Sequence, residues 1–361
     1  MKAAIISLGS TSSKWTAEEM EKVFDSVDMI NLKNIEVILG DKDVELLYNG
    51  QPFPTYDCVY VKGSFRYAPL LRSITTILTA KGVYCPLKPS VFTVVHDKLL
   101  TQLEMQRHKI PMPRTYITPT PEAAKEILER MNYPIIMKFP HGTQGKGVMV
   151  ADSLASANSM MDALTALKQP FLLQEFIDTG GVDIRAIVIG DRVVAAYKRV
   201  AKEGEARANI HAGGHGENVE LDAHTKKIAV EAAKSVGAEI CGVDILEGGK
   251  GPVVLEINAS PGLQGVTSTT KINVAEKIAK YLFAETSIRV KGKKNITSKE
   301  ILSDLGIQKA TQDIITSLDF RSKRILLPEL VTKLTNFSEE KEYVINANQG
   351  KLEIKEFKLN E

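Results

Sequence analysis

Residues 241–259, CGVDILEGGKGPVVLEINA, constrain the fold more than any other stretch of the chain. Two apolar runs flank the tetrapeptide GGKG, the pattern of an antiparallel hairpin. With the turn centred on Lys250, Asp244 falls opposite Glu256. Asn258 then shares a face with Glu256, because strand side chains alternate. Val243, Ile245, Leu255 and Ile257 are apolar and turn to the core. Carboxylates placed directly across a strand pair repel each other, so such a ribbon needs a reason to keep them. Two carboxylates and an amide offer three oxygen donors, the kind of set magnesium prefers. The plain alternative is a solvated acidic face.

A second stretch, IIMKFPHGTQGKGVMV (135–150), places Lys138 inside an apolar strand and follows it with a glycine-rich loop. The lysine stem can cross apolar surface and present its charge to a phosphate. The loop offers backbone N–H groups and the Thr143 hydroxyl, the ingredients of an anion nest. It matches neither G-x-x-x-x-G-K-[ST] nor G-x-G-x-x-G, and a strand follows it, which leaves a flap between two strands. In LLQEFI a strand end could meet a base edge, with Glu175 or the following Asp183 reaching a ribose; an ordinary strand end reads equally well. The loop at 198–217 gathers cations, glycines, Asn209, His211 and His215. Neither a helix nor a glutamate accompanies the histidine spacing, which argues against zinc.

Around these segments, short strands and helices alternate over 1–92, as in a small open α/β unit. One helix is expected over 16–27, a second over 68–82, a third from 93 to about 108, and an N-capped helix from Thr120. A glycine stops another at 237. The basic, polar run SIRVKGKKNITSKE reads as a linker, followed by a helix at 297–317 and a β-rich tail. With 361 residues the chain has room for two or three domains, and its net charge of +2 gives no polyanion signal. The three cysteines stand apart without a C-x-x-C pair, which excludes a disulfide framework. A cytoplasmic protein is expected.

Taken in order, DK (97–98), IPMPRT, MKFPHGTQGKGV, LLQEFI, DIRAIVIGDRVVAAYKR, EARANIHAGG, GVDIL and VLEINASPGLQG resemble the ATP-grasp superfamily, and within it the RimK-type α-L-glutamate ligases. The resemblance covers about 93–285. It implies an α/β (α+β) ATP-grasp fold over 93–288, a Rossmann-like domain before it over 1–92, and a linker with a helix at 289–318. It implies that Lys98 and Lys138 hold ATP phosphates and that Gly142, Thr143, Gln144, Gly145 and Gly147 form the closing loop. Glu175, Phe176 and Ile177 match the adenine edge, and Asp183 the ribose. Arg207 and Asn209 match a pair beside the transferred phosphate, and Asp244, Glu256 and Asn258 match the metal ligands. The cofactors implied are ATP and Mg2+, two ions, with Mn2+ as a substitute. Arg185, Arg199, Ser260 and Gly262 are candidates for holding substrate, with a structural ion pair as the alternative for the arginines. Gln264 stands where a glutamate is common, near the acceptor position.

The reaction implied is a carboxylate–amine ligation through an acylphosphate, with L-glutamate or another amino acid as the amine. The acceptor is a protein C-terminus or a glutamyl-tailed coenzyme. A ligase of the lysine-biosynthesis type is the alternative. The tail at 319–361 looks like an AbrB/MazE-type module, which implies a homo-oligomer (dimer or tetramer) and brings in DNA as a partner. That makes a DNA-binding or dimerising regulator the rival of a different class.

Overall fold

Ala3–Ile6 of the first strand, β1 (Lys2–Ser7), are wholly out of water, as befits the centre of a parallel sheet. This is seen in a computed structural model, which describes residues 1–41, 44–139, 147–166, 170–201, 215–304, 319–321, 324–327, 331, 335, 337–338, 341–349 and 351–356. The first helix, α1 (Thr11–Met20), begins before the expected 16–27 span, because Ser10 caps it through the Ser13 N–H. Small polar residues Ser12, Ser13 and Thr16 form its buried face, a signal that apolar periodicity misses. Its early end frees β2 (Ser26–Asn31) to pair in parallel with β1. An antiparallel sheet of β3 (Ile35–Leu39), β4 (Val44–Tyr48) and β5 (Gln51–Pro52) follows. Then β6 (Cys58–Val61) pairs with the other side of β1, giving the order β2-β1-β6. Helix α2 (Ala68–Ala80) buries Leu71, Ile74 and Leu78.

The single helix expected from 93 is two, α3 (Val91–Val94) and α4 (Lys98–Arg107). Asp97 makes the break: its carboxylate accepts the N–H groups of Leu99 and Leu100 at 2.8 and 3.1 Å, capping α4 and placing Lys98 at its first turn. Next come β7 (Thr115–Tyr116), α5 (Pro121–Leu128) with its Thr120 cap, β8 (Ile135–Lys138), β9 (Val148–Ala151), α6 (Leu154–Ala166) and β10 (Leu172–Glu175). The strands form a sheet in the order β7-β10-β8-β9, and its own core gathers Leu128, Ile135, Met137, Met161 and Leu173.

The larger sheet holds β11 (Val182–Ile189), β12 (Arg192–Val200), β13 (His215–Asn218), β14 (Ile240–Gly248) and β15 (Gly251–Asn258), with α7 (Ala223–Val236) between β13 and β14. Its order is β13-β12-β11-β14-β15, every pair antiparallel. Asp244 does face Glu256, yet the turn is the two-residue Gly249-Lys250, and a bulge at Leu255 takes up the difference. Val254, not Leu255, is therefore the fully buried residue. Cys58, Tyr60 and Val61 of the N-terminal sheet lie in one apolar core with Cys241, Val243 and Ile278.

After α8 (Gln264–Thr270), helix α9 (Val274–Asp304) runs straight through the basic stretch expected as a linker. The chain divides into two compact units, 1–293 and 294–361. The second contains two hairpins, β16 (Asp319–Arg321) with β17 (Arg324–Leu326), and β18 (Tyr343–Asn348) with β19 (Lys351–Glu356). Among the described residues, no helix is long and apolar enough to cross a membrane.

Gly237 ends α7 at φ 76°, its N–H donating to the carbonyls of Ala233 and Lys234. A Cβ there would sit 2.7 Å from Lys88 Cδ. Gly237→Ala is expected to destabilise the protein by about 1–2 kcal/mol, seen as a lower midpoint in denaturant unfolding.

Candidate active site

Strand register brings the charged residues together on one face of the large sheet. Reading across it, Tyr197 of β12 faces Arg185 of β11, which faces Asp244 of β14, which faces Glu256 of β15. One step to one side of this row Arg199 faces Asp183, and one step to the other Asn258 faces Gly242. A side chain at Gly242 would press on Arg185 Cδ and Pro261 Cβ at 3.2 and 3.3 Å, so glycine leaves the arginine room to lie flat.

These groups form a buried ion cluster. Arg185 donates through Nε and Nη2 to Asp244 Oδ1 and Oδ2. Arg199 donates to both oxygens of Asp183, at 2.5 and 2.7 Å, and through Nη2 to Asp244 Oδ2 at 2.9 Å. Asp244 is 4% exposed. Burial alone would raise its pKa; Arg185 and Arg199 outweigh that and hold it below the usual carboxylate range. Burial and the Asp244 charge, only partly offset by Arg199, raise Asp183 to about 6. The two arginines expected to grip substrate thus grip protein carboxylates, and Asp183, expected to meet a ribose, has both oxygens on Arg199.

Facing this row are two lysines. Lys138 ends β8 and is 5% exposed, its Nζ donating to Gln174 Oε1 at 2.8 Å. Gln174 in turn donates to Thr115 Oγ1 at 2.7 Å. Burial lowers Lys138 to about 8, Lys98 repels it further, and Glu256 offsets part of the shift. Burial likewise lowers Lys98, against the pull of Glu256 and Asp97. Two desolvated ammonium groups thus converge on one carboxylate, an excess of positive charge suited to an anion. Gln174 was missed in the sequence, although an amide inside LLQEFI was a legible signal.

The small and large sheets meet at this point. Glu175 closes β10, pairing through its backbone with Arg114, while Phe176 and Ile177 lead into β11. The β14–β15 tip lies on Ile177, whose Cγ2 would be 2.7 Å from a Cβ at Gly248. Val254 N–H donates to Pro111 O at 2.8 Å. Gly147, at φ 77°, closes against the Phe139 ring, and a Cβ there would lie 2.2 Å from it. Ser260 Oγ accepts the Gly63 N–H at 3.2 Å, and Gly262 is exposed. His215 pairs with Glu217 on the surface. Gly142, Thr143, Gln144, Gly145, Arg207, Asn209 and His211 lie outside the described residues.

The oxygen set fits a magnesium ion. Among the described residues no three His, Cys, Asp or Glu side chains converge, and the third donor here is an amide. Asp244 accepts three arginine hydrogen bonds, which leaves one of its roughly four lone-pair positions. Asn258 would offer its Oδ1 to the ion; its Nδ2, a donor buried without a partner among the described residues, calls for an acceptor instead.

Comparison with known proteins gives the family and the fold. Residues 95–282 match the family described as RimK-like ATP-grasp domain. A protein of Marinomonas sp. (strain MWYL1) named "Probable alpha-L-glutamate ligase" is 34% identical over 300 residues, covering 81% of this chain and 100% of its own. Its namesake in Legionella pneumophila (strain Corby) is 37% identical over 291 residues, covering 78% and 95%. Among solved structures, the ATP-grasp ligase PsnB complexed with minimal precursor, Mg and ADP superposes with a TM-score of 0.63 at 20% identity, over 79% of this chain and 98% of that one. The RimK domain protein from Sphaerobacter thermophilus gives 0.60 at 16%, over 78% and 99%.

Arg199→Met would strand the buried Asp183 and take one of its three arginine hydrogen bonds from Asp244. The expected cost is about 3–5 kcal/mol in denaturant unfolding. Arg199→Lys, which keeps the charge but loses the fork, should cost less.

Proposed function

Because the chain belongs to the RimK-like ATP-grasp family and is an ATP-grasp ligase, we propose that it joins the amine of L-glutamate to a carboxyl group at a protein C-terminus. ATP is cleaved to ADP and phosphate in the reaction. The observation that carries this reading is the row Asp244–Glu256 with Asn258, together with the buried Lys138 and half-buried Lys98, both drawn to Glu256. The two glutamate-ligase relatives, each above 30% identity, favour glutamate as the amine.

The acceptor carboxylate attacks the γ-phosphorus, and the bond to the β-phosphate oxygen breaks. The resulting acylphosphate is attacked by the amine, which loses a proton and expels phosphate. No protein nucleophile is required, so the chain's task is to position reactants and offset charge. Lys98 and Lys138 hold the phosphates, with Gln174 fixing the Lys138 ammonium from behind. Arg185 and Arg199 lock Asp244 in place, in register with Glu256 on the neighbouring strand. Asp244, Glu256 and Asn258 would hold magnesium, which would supply divalent charge to offset that of the phosphates. Glu175, Phe176 and Ile177 offer backbone and apolar surface to the adenine. The resemblance gives the 142–147 stretch, Arg207 and Asn209 the task of keeping water from the acylphosphate; apart from Gly147 they lie outside the described residues.

Glu256→Gln and Asp244→Asn should each lower glutamate-dependent ADP release by about a hundredfold or more, the equivalent of several kcal/mol in the transition state. Mass spectrometry of an acceptor peptide should find added glutamyl mass with wild type; the absence of any ATP-dependent mass gain on peptides would remove the acceptor assignment. The affinity for ATP should weaken as pH rises through about 8, where Lys138 sheds its proton. In Lys138→Arg that fall should vanish, since guanidinium stays charged, and calorimetric titration across the range reads it directly.

A further inference from the structure

Lys62 stands where β6 leaves the N-terminal sheet, its backbone N–H donating to Ile6 O at 2.8 Å. The residue is 4% exposed, and among the described residues its Nζ has no hydrogen-bond acceptor. Its recorded neighbour is the Tyr60 ring, 5.4 Å from the ammonium to the centroid. A ring face compensates a buried cation only in part. Burial lowers its pKa to about 8, with no charged group offsetting the shift, and it remains an ammonium at neutral pH. A buried cation without a counter-ion is retained only where something repays the desolvation.

Its position says what that something is. β1 and β6 run parallel and end side by side, and ligands of open α/β sheets sit outside such carboxyl ends. The loop after Asn258 is fastened there twice. Gly63 N–H donates to Ser260 Oγ at 3.2 Å, and Leu263 N–H donates to Ser12 Oγ at 2.9 Å. The residue after Lys62 is therefore bonded to a residue two beyond the proposed metal ligand. Gly9, Ser10, Ser64 and Gly262 around it are exposed, whereas Ser7, Ser12 and Pro261 are buried, so the seam between the two layers opens to solvent beside a buried charge.

We propose that Lys62 anchors a non-reacting carboxylate of one of the two substrates, the incoming amino acid or the acceptor, at the seam between the N-terminal sheet and the 259–263 loop. This rests on the ligase reading above and adds a specificity residue from outside the matched region, 95–282. One charged pair there would discriminate a dicarboxylic amino acid or a free chain end from its amide, because the amide would leave the ammonium unpaired.

The test is Lys62→Met, with Lys62→Arg as the conservative variant, in the full chain. The expected result is a rise of about tenfold or more in KM for one carboxylate substrate, with KM for ATP within about twofold of wild type and no loss of melting temperature. Lys62→Arg should recover most of the loss. Whether glutamate or the acceptor peptide carries the rise identifies the source of the carboxylate. Unchanged KM for both overturns the proposal. If Lys62→Met does not fold, Lys62→Gln is read in the same way. The ligase reading fails separately, through absence of turnover in wild type. In that event, melting-temperature shifts that are equal for wild type and Lys62→Met with glutamate and also with the acceptor peptide still overturn the role of Lys62.

Discussion

Two arginines and two aspartates, buried on one face of the large sheet, hold the rest of the site in place. Asp244 cannot turn without leaving Arg185 and Arg199, and Arg199 cannot turn without leaving Asp183. Such clusters add little net stability, since desolvation cancels most of the attraction. Their effect is geometric. Each guanidinium is a rigid fork, and two forks meeting on one carboxylate leave it a single orientation. The strands beneath fix the spacing, so the oxygen row inherits the precision of a ladder.

Much of this was legible in the residues, for reasons that can be named. The hairpin showed itself by glycine punctuation and two apolar runs, and its facing carboxylates stood out because strands avoid them. Helices with good caps, such as the one opened by Thr120, were equally plain. The misses share a cause. Helix α1 hides behind serines and threonines that pack inward, so a search for apolar spacing starts too late. Asp97 reads as an ordinary helix residue until its carboxylate is seen holding two N–H groups. The basic run SIRVKGKKNITSKE reads as a linker, although lysine and glutamate are good helix formers and α9 runs through it. The arginine partners were beyond the sequence altogether, since only the register of three strands decides which acid each one meets.

The two units differ in what backs them. In the first, the N-terminal sheet and the large sheet share one apolar core, so a displacement of either is felt by the other. In the second, β18 and β19 place Ile345, Leu352 and Ile354 on one face and Asn346, Lys351 and Glu353 on the other. Ile345 is 61% exposed. That is an amphipathic ribbon whose apolar side remains wet, and two strands alone are a marginal structure in water.

The bulge at Leu255 has a wider meaning for how this ribbon tolerates change. Without it, parity along β15 would run unbroken from turn to base, and any odd insertion at the tip would turn Glu256 and Asn258 to the opposite face. The additional residue separates the two ends into independent phases. The tip meets Ile177 in one phase, while the oxygens at the base keep the other.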